Sequence, residues 1–172
     1  IVGPASDPAG VKGIKNALEA MKTLAGKAAP FVSRGDNSGT HVAEKDLWAK
    51  AGLKPAGAWY QLFAKGAEGN TATLLYTDAQ NAYTVIDRAS YLGVRDKVKL
   101  QVLVEGDEVL LNHISLIPLN PAKLPKVRTR DAAAFADWLT AADKGQKLIE
   151  SFGKDKFGQA LFIPESKAWK AR

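Results

Sequence analysis

Residues 29–52 constrain the fold of this 172-residue chain more than any other stretch. An apolar β run over 29–33 ends in Ser33-Arg34-Gly35-Asp36-Asn37-Ser38-Gly39-Thr40, and this turn opens into a helix over about 38–51 that stops at Gly52. Strand, glycine-bearing turn and helix in succession is the unit from which α/β proteins are built. Spacing predicts the same alternation elsewhere. Ile14, Leu18, Met21 and Leu24 give an apolar face to a helix over 11–25, and Val42, Leu47, Trp48 and Ala51 give one to the helix over 38–51. An aromatic run at 59–64 precedes a glycine-rich turn at 66–70 and a helix carrying Ala72, Leu74, Leu75 and Ala79. Residues 82–86, 100–104 and 113–119 read as strands, the last buried, and 88–92 as a short helix. Helices follow over 130–141 and 144–152, with Leu148, Ile149 and Phe152 inward, and 158–163 closes the ordered part. Trp48, Trp59, Trp138 and Trp169 stand beside other apolar residues and read as packing.

The chemistry concentrates in the same turn. A helix N-terminus leaves unpaired backbone donors and a partial positive charge, which suits an anion. Arg34 adds a planar fork matched to two oxygens. The hydroxyls of Ser38 and Thr40 and the N–H groups from Gly39 onward are further donors, and Gly39 lets a ligand approach without a Cβ. Asp36 repels an anion, so its expected place is behind Arg34, holding the guanidinium. The pattern suggests a receptor for a small oxyanion. The plainer alternative is an Asx/ST turn capping a helix, with Arg34 solvated. Gly66 to Thr71 could aim a second set of donors at the same ligand or be an ordinary loop and cap. Asp87 and Arg88, at a strand end, are cleft candidates or a structural ion pair.

Composition excludes more than it selects. The net charge of +6 favours anionic partners, but the lysines are spread along the whole chain without aromatic interleaving, which argues against nucleic acid. Absence of cysteine removes disulfides, thiolate metal sites and a cysteine nucleophile. His41 and His113 are the only histidines and have no metal-ligand spacing. With no Gly-x-Ser-x-Gly elbow and no phosphate loop, we expect no enzyme, no cofactor and no protein-held metal cation. His113 reads as a hydrogen-bonded core histidine, and His41 as lying near the anion or facing solvent. No apolar run is long enough for a transmembrane segment, and no signal segment opens the chain. Ile1-Val2-Gly3-Pro4 reads as the end of a buried strand, so further sequence is expected upstream.

Ser33-Arg34-Gly35-Asp36-x-Ser38-Gly39-Thr40, with Glu44 and Leu47-Trp48, resembles the mark of the tungstate-binding (TupA-type) proteins of ABC importers, within the periplasmic binding protein superfamily. Supporting matches are Ile1 to Pro4 with Ser6 to Gly10, Ala82 to Thr84 leading to Asp87-Arg88 and Tyr91-Leu92, and Val104 to Asp107. Asn120-Pro121, Phe135 to Leu139 and Gly158-Gln159 with Leu161-Phe162-x-Pro164 follow in the family's order. The resemblance implies an α/β, periplasmic-binding-protein-like two-lobed fold, with one complete lobe at 5–112. Residues 1–4 and 113–172 would supply hinge strands and part of the other lobe. It implies tungstate or molybdate as ligand, contacts from Arg34, Ser38, Gly39 and Thr40, with Ser33 joining them, and Asp36 behind. Asn70, Thr71, Asp87 and Arg88 would be additional cleft residues. It further implies a periplasmic or otherwise extracytoplasmic location and an ABC permease as partner. The family's Thr/Ser-rich opening is not in this chain, its glycine-methionine-glycine helix entry is replaced by Glu68-Gly69-Asn70, and position 90 is Ser. The alternatives are a phosphate or sulfate receptor of the same fold, or a ligand-sensing regulatory domain.

Overall fold

In the computed structural model, which describes residues 1–172, the elements run β1 (Val2–Gly3), α1 (Ala17–Gly26), β2 (Phe31–Ser33), α2 (Gly39–Lys50), β3 (Tyr60–Leu62), α3 (Asn70–Ala79), α4 (Arg88–Val94), β4 (Gln101–Val102), α5 (Thr129–Thr140), α6 (Gly145–Ser151), α7 (Lys154–Phe157) and α8 (Lys167–Lys170). The mixture of helix and sheet is the expected α/β class. The chain divides into two compact units, Ile1–Asn112 and His113–Arg172.

In the first unit β2 pairs in parallel with β3, the crossover between them being α2, as a parallel connection requires. The run 82–86 is held by isolated bridges instead of a ladder: Tyr83 lies parallel to Phe31, and Thr84 antiparallel to Val2. β1 in turn pairs antiparallel with β4. Hydrogen bonding is thus continuous from β3 through β2 and residues 83–84 to β1 and β4.

Helix α1 starts six residues later than its apolar spacing predicts. Asn16 accepts the Glu19 N–H at 3.0 Å and Asp107 accepts the Ala17 N–H at 2.7 Å, so two side chains cap the helix at that point. The backbone N–H groups of Ala17 and then Val109, both donating to Asp107, hold its carboxyl below the usual carboxylate range. Val11 and Ile14 reach the core from turns instead. The buried stripe of α2 is His41, Glu44, Leu47 and Trp48, while Val42 is 43% exposed. In α3 it is Thr73, Leu74 and Thr77, with Leu75 exposed. Thr73 and Thr77 donate to the carbonyls of Gly69 and Thr73, so their hydroxyls enter the core already satisfied, which an apolar pattern cannot register.

The core beneath β2 is aromatic. Phe31 meets Trp48 edge-on at 5.1 Å and stacks on Tyr60 at 5.9 Å, and Trp59 meets Trp48 edge-on at 5.8 Å. Tyr83, fully buried, fastens this core to the 5–10 loop: its hydroxyl accepts the Ala9 N–H at 2.9 Å and donates to Asp7 at 3.0 Å. Burial pushes its pKa up to about 12. Tyr83→Phe leaves the buried Ala9 N–H without its acceptor. The expected cost is about 1–2 kcal/mol in urea unfolding, with no change in secondary structure.

The second unit is α5 to α8. Gln146 staples it, donating to the Leu139 carbonyl at 2.8 Å and accepting the Glu165 and Ser166 N–H groups at 3.0 Å. Residues 113–119 are a correction: they form no strand, and Ile114 and Ile117 are 77% and 81% exposed, because no strand in the chain pairs with them. His113 is likewise no core residue. It is exposed, and its Nδ1 lies 2.9 Å from Glu165. Leu148 and Phe152 are exposed and Ile149 half-buried, so the inward face expected of 144–152 is not covered. Trp138, 42% exposed, is not a packing residue in the sense that Trp48 is.

Candidate functional site

The turn between β2 and α2 lies within the first unit, and its shape follows from its residues. Asn37 takes a left-handed conformation (φ 58°), which asparagine tolerates, and its N–H is accepted by His41 Nδ1 at 2.9 Å. Nδ1 is therefore the unprotonated nitrogen of that ring. Ser38 is the N-cap of α2, its Oγ facing the His41 N–H at 3.5 Å. The first N–H to enter the helical ladder is that of Val42, bonded to the Ser38 carbonyl. The N–H groups of Gly39 and Thr40 find no acceptor in the protein, and neither does the Thr40 hydroxyl. Three donors thus stand at the N-terminus of a twelve-residue helix.

Arg34 is held on three sides. Its Nε donates to the Gly66 carbonyl at 3.1 Å, Nη1 to Asn70 Oδ1 at 2.5 Å, and Nη2 to Asp36 Oδ2 at 2.8 Å. A guanidinium has five N–H groups, so two are left over, one on each Nη. Asp36 is committed as well: Oδ2 takes Arg34 and Oδ1 takes the Ser38 N–H at 3.0 Å. The nearby Ser38 hydroxyl, its N–H and the Arg34 charge hold the Asp36 carboxyl below the usual carboxylate range. It stays ionised and cannot offer a proton to a ligand. The sequence-based expectation that Asp36 steadies Arg34 describes this contact.

Ser33 is fully buried, and its hydroxyl donates to Glu44 at 2.5 Å. The other oxygen of Glu44 accepts Trp48 Nε1 and the Tyr60 hydroxyl, each at 2.8 Å. Burial, chiefly, raises the Tyr60 pKa. Ser33 therefore stands behind the turn, joined to the core. Of the other candidates, Asn70 and Asp87 come together with Arg34: Asn70 Nδ2 donates to Asp87 Oδ2 at 2.7 Å. Thr71 is exposed without a hydrogen bond to this group, and Arg88 turns to Glu105 at 3.2 Å. His41 and Gly66, both named from the sequence, enter through the Asn37 N–H and Arg34 Nε, whereas the parts played by Glu44 and Ser90 as hydrogen-bond partners of Ser33 and Asn70 were not anticipated.

Gly39 has a distinct status. A Cβ built there meets no heavy atom within 4 Å, and its backbone conformation is ordinary for any residue. The fold does not need glycine at this position. Gly39→Ala should leave stability unchanged or raise it by up to about 0.5–1 kcal/mol. If this turn holds an oxyanion, affinity for it should fall about tenfold, equivalent to about 1.4 kcal/mol. Thermal melts and calorimetry on the same preparation check both halves.

No helix is long and apolar enough to cross a membrane, and no group of three or more His, Cys, Asp or Glu is arranged to hold a metal ion. The sequence profile described as PBP superfamily domain matches residues 1–143. The tungstate-binding protein TupA of Peptoclostridium acidaminophilum is 36% identical over 168 residues, covering 96% of this chain and 57% of that protein. Among solved structures, a tungstate binding protein, TupA, from Desulfovibrio alaskensis G20 superposes with a TM-score of 0.79 at 37% identity, over 96% of this chain and 66% of that one. A structure described as the tungstate ABC transporter from Geobacter sulfurreducens gives 0.72 at 36% identity, over 88% and 62%. The chain spans about half the length of the curated relatives it matches, between 48% and 58%.

Proposed function

This chain belongs to the PBP superfamily, and on that premise we propose that it carries the anion-gripping turn of a receptor for a tetrahedral oxyanion, tungstate or molybdate. One observation carries the proposal. Arg34, braced by three acceptors, stands next to a turn whose donors at Gly39 and Thr40 have no acceptor in the protein, and each oxygen of the adjacent Asp36 carboxylate already accepts a hydrogen bond. Such a place rewards a ligand that only accepts hydrogen bonds. Tungstate and molybdate are fully deprotonated at neutral pH and fit it. Monoprotonated phosphate would in addition need an acceptor, and the Asp36 carboxylate beside the turn already serves Arg34 and the Ser38 N–H; the choice of tungstate or molybdate rests on the relatives.

The contacts we assign are Arg34, Ser38, Gly39 and Thr40. Asp36 holds Arg34, and Ser33 ties the turn to the core through Glu44. We read residues 5–112 as the lobe bearing this turn, 1–4 as a hinge strand, and 113–172 as the return crossing and part of the other lobe. The relatives named as tungstate-binding proteins support the choice of anion, and those associated with ABC transport support an extracytoplasmic location and an ABC permease as the recipient. Binding is non-covalent and involves no chemical step. Calorimetry on the full-length protein with tungstate, molybdate, phosphate and sulfate tests the proposal. Tungstate or molybdate should bind at least a hundredfold more tightly than phosphate; tight phosphate binding without a tungstate response refutes it.

A further inference from the structure

The three braces on Arg34 differ in kind. Gly66 offers a backbone carbonyl and Asp36 a carboxylate, whereas Asn70 offers a carboxamide, which can face either way. Its orientation is fixed from behind. Both Nδ2 hydrogens are used, one to Asp87 Oδ2 at 2.7 Å and one to Ser90 Oγ at 3.1 Å. Ser90 in turn donates its hydroxyl to Asp87 Oδ2 at 2.7 Å and its N–H to Oδ1 at 2.8 Å. Turning the amide over would set N–H against N–H at Arg34 and oxygen against carboxylate at Asp87, so only one orientation is tolerated.

We propose that Asp87 and Ser90, acting through Asn70, are positioning residues for the oxyanion site: they lock the Asn70 amide so that its oxygen holds Arg34 Nη1 and the two remaining guanidinium donors keep one direction. The inference rests on the oxyanion reading of the turn. The relay joins three separate elements, with Arg34 following β2, Asn70 opening α3, and Asp87 capping α4 with Ser90 in its first turn. None of Asn70, Asp87 and Ser90 needs to touch the ligand. Their contribution is preorganisation, because a guanidinium free to swing would have to be ordered at the moment of binding.

The relay makes a prediction that a direct contact or a purely structural role does not. Asn70→Asp places two carboxylates against each other at the Asp87 contact and should weaken molybdate binding by about tenfold. Combining it with Asp87→Asn exchanges the partners: a carboxylate then holds Arg34 and an amide donates to that carboxylate from behind. The double variant should recover affinity to within about threefold of the parent. Asp87→Ser retains a side chain able to cap α4 yet is too short to reach Asn70, and should lose affinity with an unchanged melting profile. In an Arg34→Lys background, where no planar fork exists to be oriented, Asp87→Ser should not lower the remaining affinity. Molybdate titrations by calorimetry on the full-length protein read all of them. Failure of the exchange to restore binding, or the same loss from Asp87→Ser in the Arg34→Lys background, overturns the relay. Wild-type affinity in Arg34→Lys alone overturns the oxyanion reading instead, so the two failures are told apart.

Discussion

On the proposed reading, Arg34→Glu should abolish oxyanion binding in the full-length protein while the first unit keeps its fold. The substitution removes two outward donors and places a negative charge where the ligand's charge must sit, beside the ionised Asp36. Truncating one partner of a hydrogen-bonded charge pair costs about 2–5 kcal/mol, and reversal adds repulsion, so a loss of at least about a hundredfold is expected. Arg34→Gln is the companion variant: it keeps a donor and drops the charge, and should fall between the parent and Arg34→Glu. The fold survives because the aromatic core around Phe31 and Trp48 does not include the Arg34 side chain. What is lost on the protein side is one ion pair and two hydrogen bonds, all part-buried. Circular dichroism should be unchanged and the melting temperature lowered by a few degrees. Retained tungstate or molybdate affinity in Arg34→Glu would remove the turn from consideration as the binding site.

The turn was legible because its chemistry is local. Arg34, Asp36, Ser38 and Gly39 lie within six positions, and the strand before and helix after them carry ordinary signals, so the N-cap and the Arg34–Asp36 pair follow from spacing alone. The braces from Gly66 and Asn70, and Asp87 behind Asn70, were not legible in the same way. They come from 32, 36 and 53 residues further along, and only the parallel pairing of β2 with β3 and the bridge at Tyr83 bring them to Arg34. Those residues could be named as candidates but not connected. Burial failed where polarity and depth diverge. Glu44 and Thr77 are inside because Ser33, Trp48, Tyr60 and the Thr73 carbonyl satisfy them, while Val42 and Leu75, apolar by type, face outward. The run 113–119 failed for a third reason. An apolar stretch becomes a buried strand only when another strand pairs with it, and pairing is not a property of the stretch.

Gly66→Ala strikes fold and site together. A Cβ at this position would stand 1.7 Å from the Arg34 carbonyl oxygen and 2.8 Å from its carbonyl carbon, both backbone atoms that cannot rotate away. The conformation of Gly66 is not the obstacle, since its φ lies outside the positive region. Close approach is the whole requirement, and the turn at Gly66–Glu68 must move back from the Arg34 backbone to accept a methyl group. That movement also withdraws the Gly66 carbonyl from Nε and strains the Asn70 contact at the start of α3. Overpacking of this kind costs about 1–3 kcal/mol, and the immobile neighbours place Gly66→Ala near 3. Anion affinity should fall by an amount approaching that of Arg34→Gln, because two of the three braces are disturbed. The contrast with Gly39→Ala is decisive: both add one methyl group at a glycine next to the same turn, but only Gly39 has empty space around it. Urea unfolding and tungstate calorimetry on the two variants should therefore diverge, with Gly39→Ala losing affinity at full stability and Gly66→Ala losing both. Equal stability in the two would mean that the Gly66 backbone does not press on Arg34, and Arg34 would then owe its position to Asp36 and Asn70 alone.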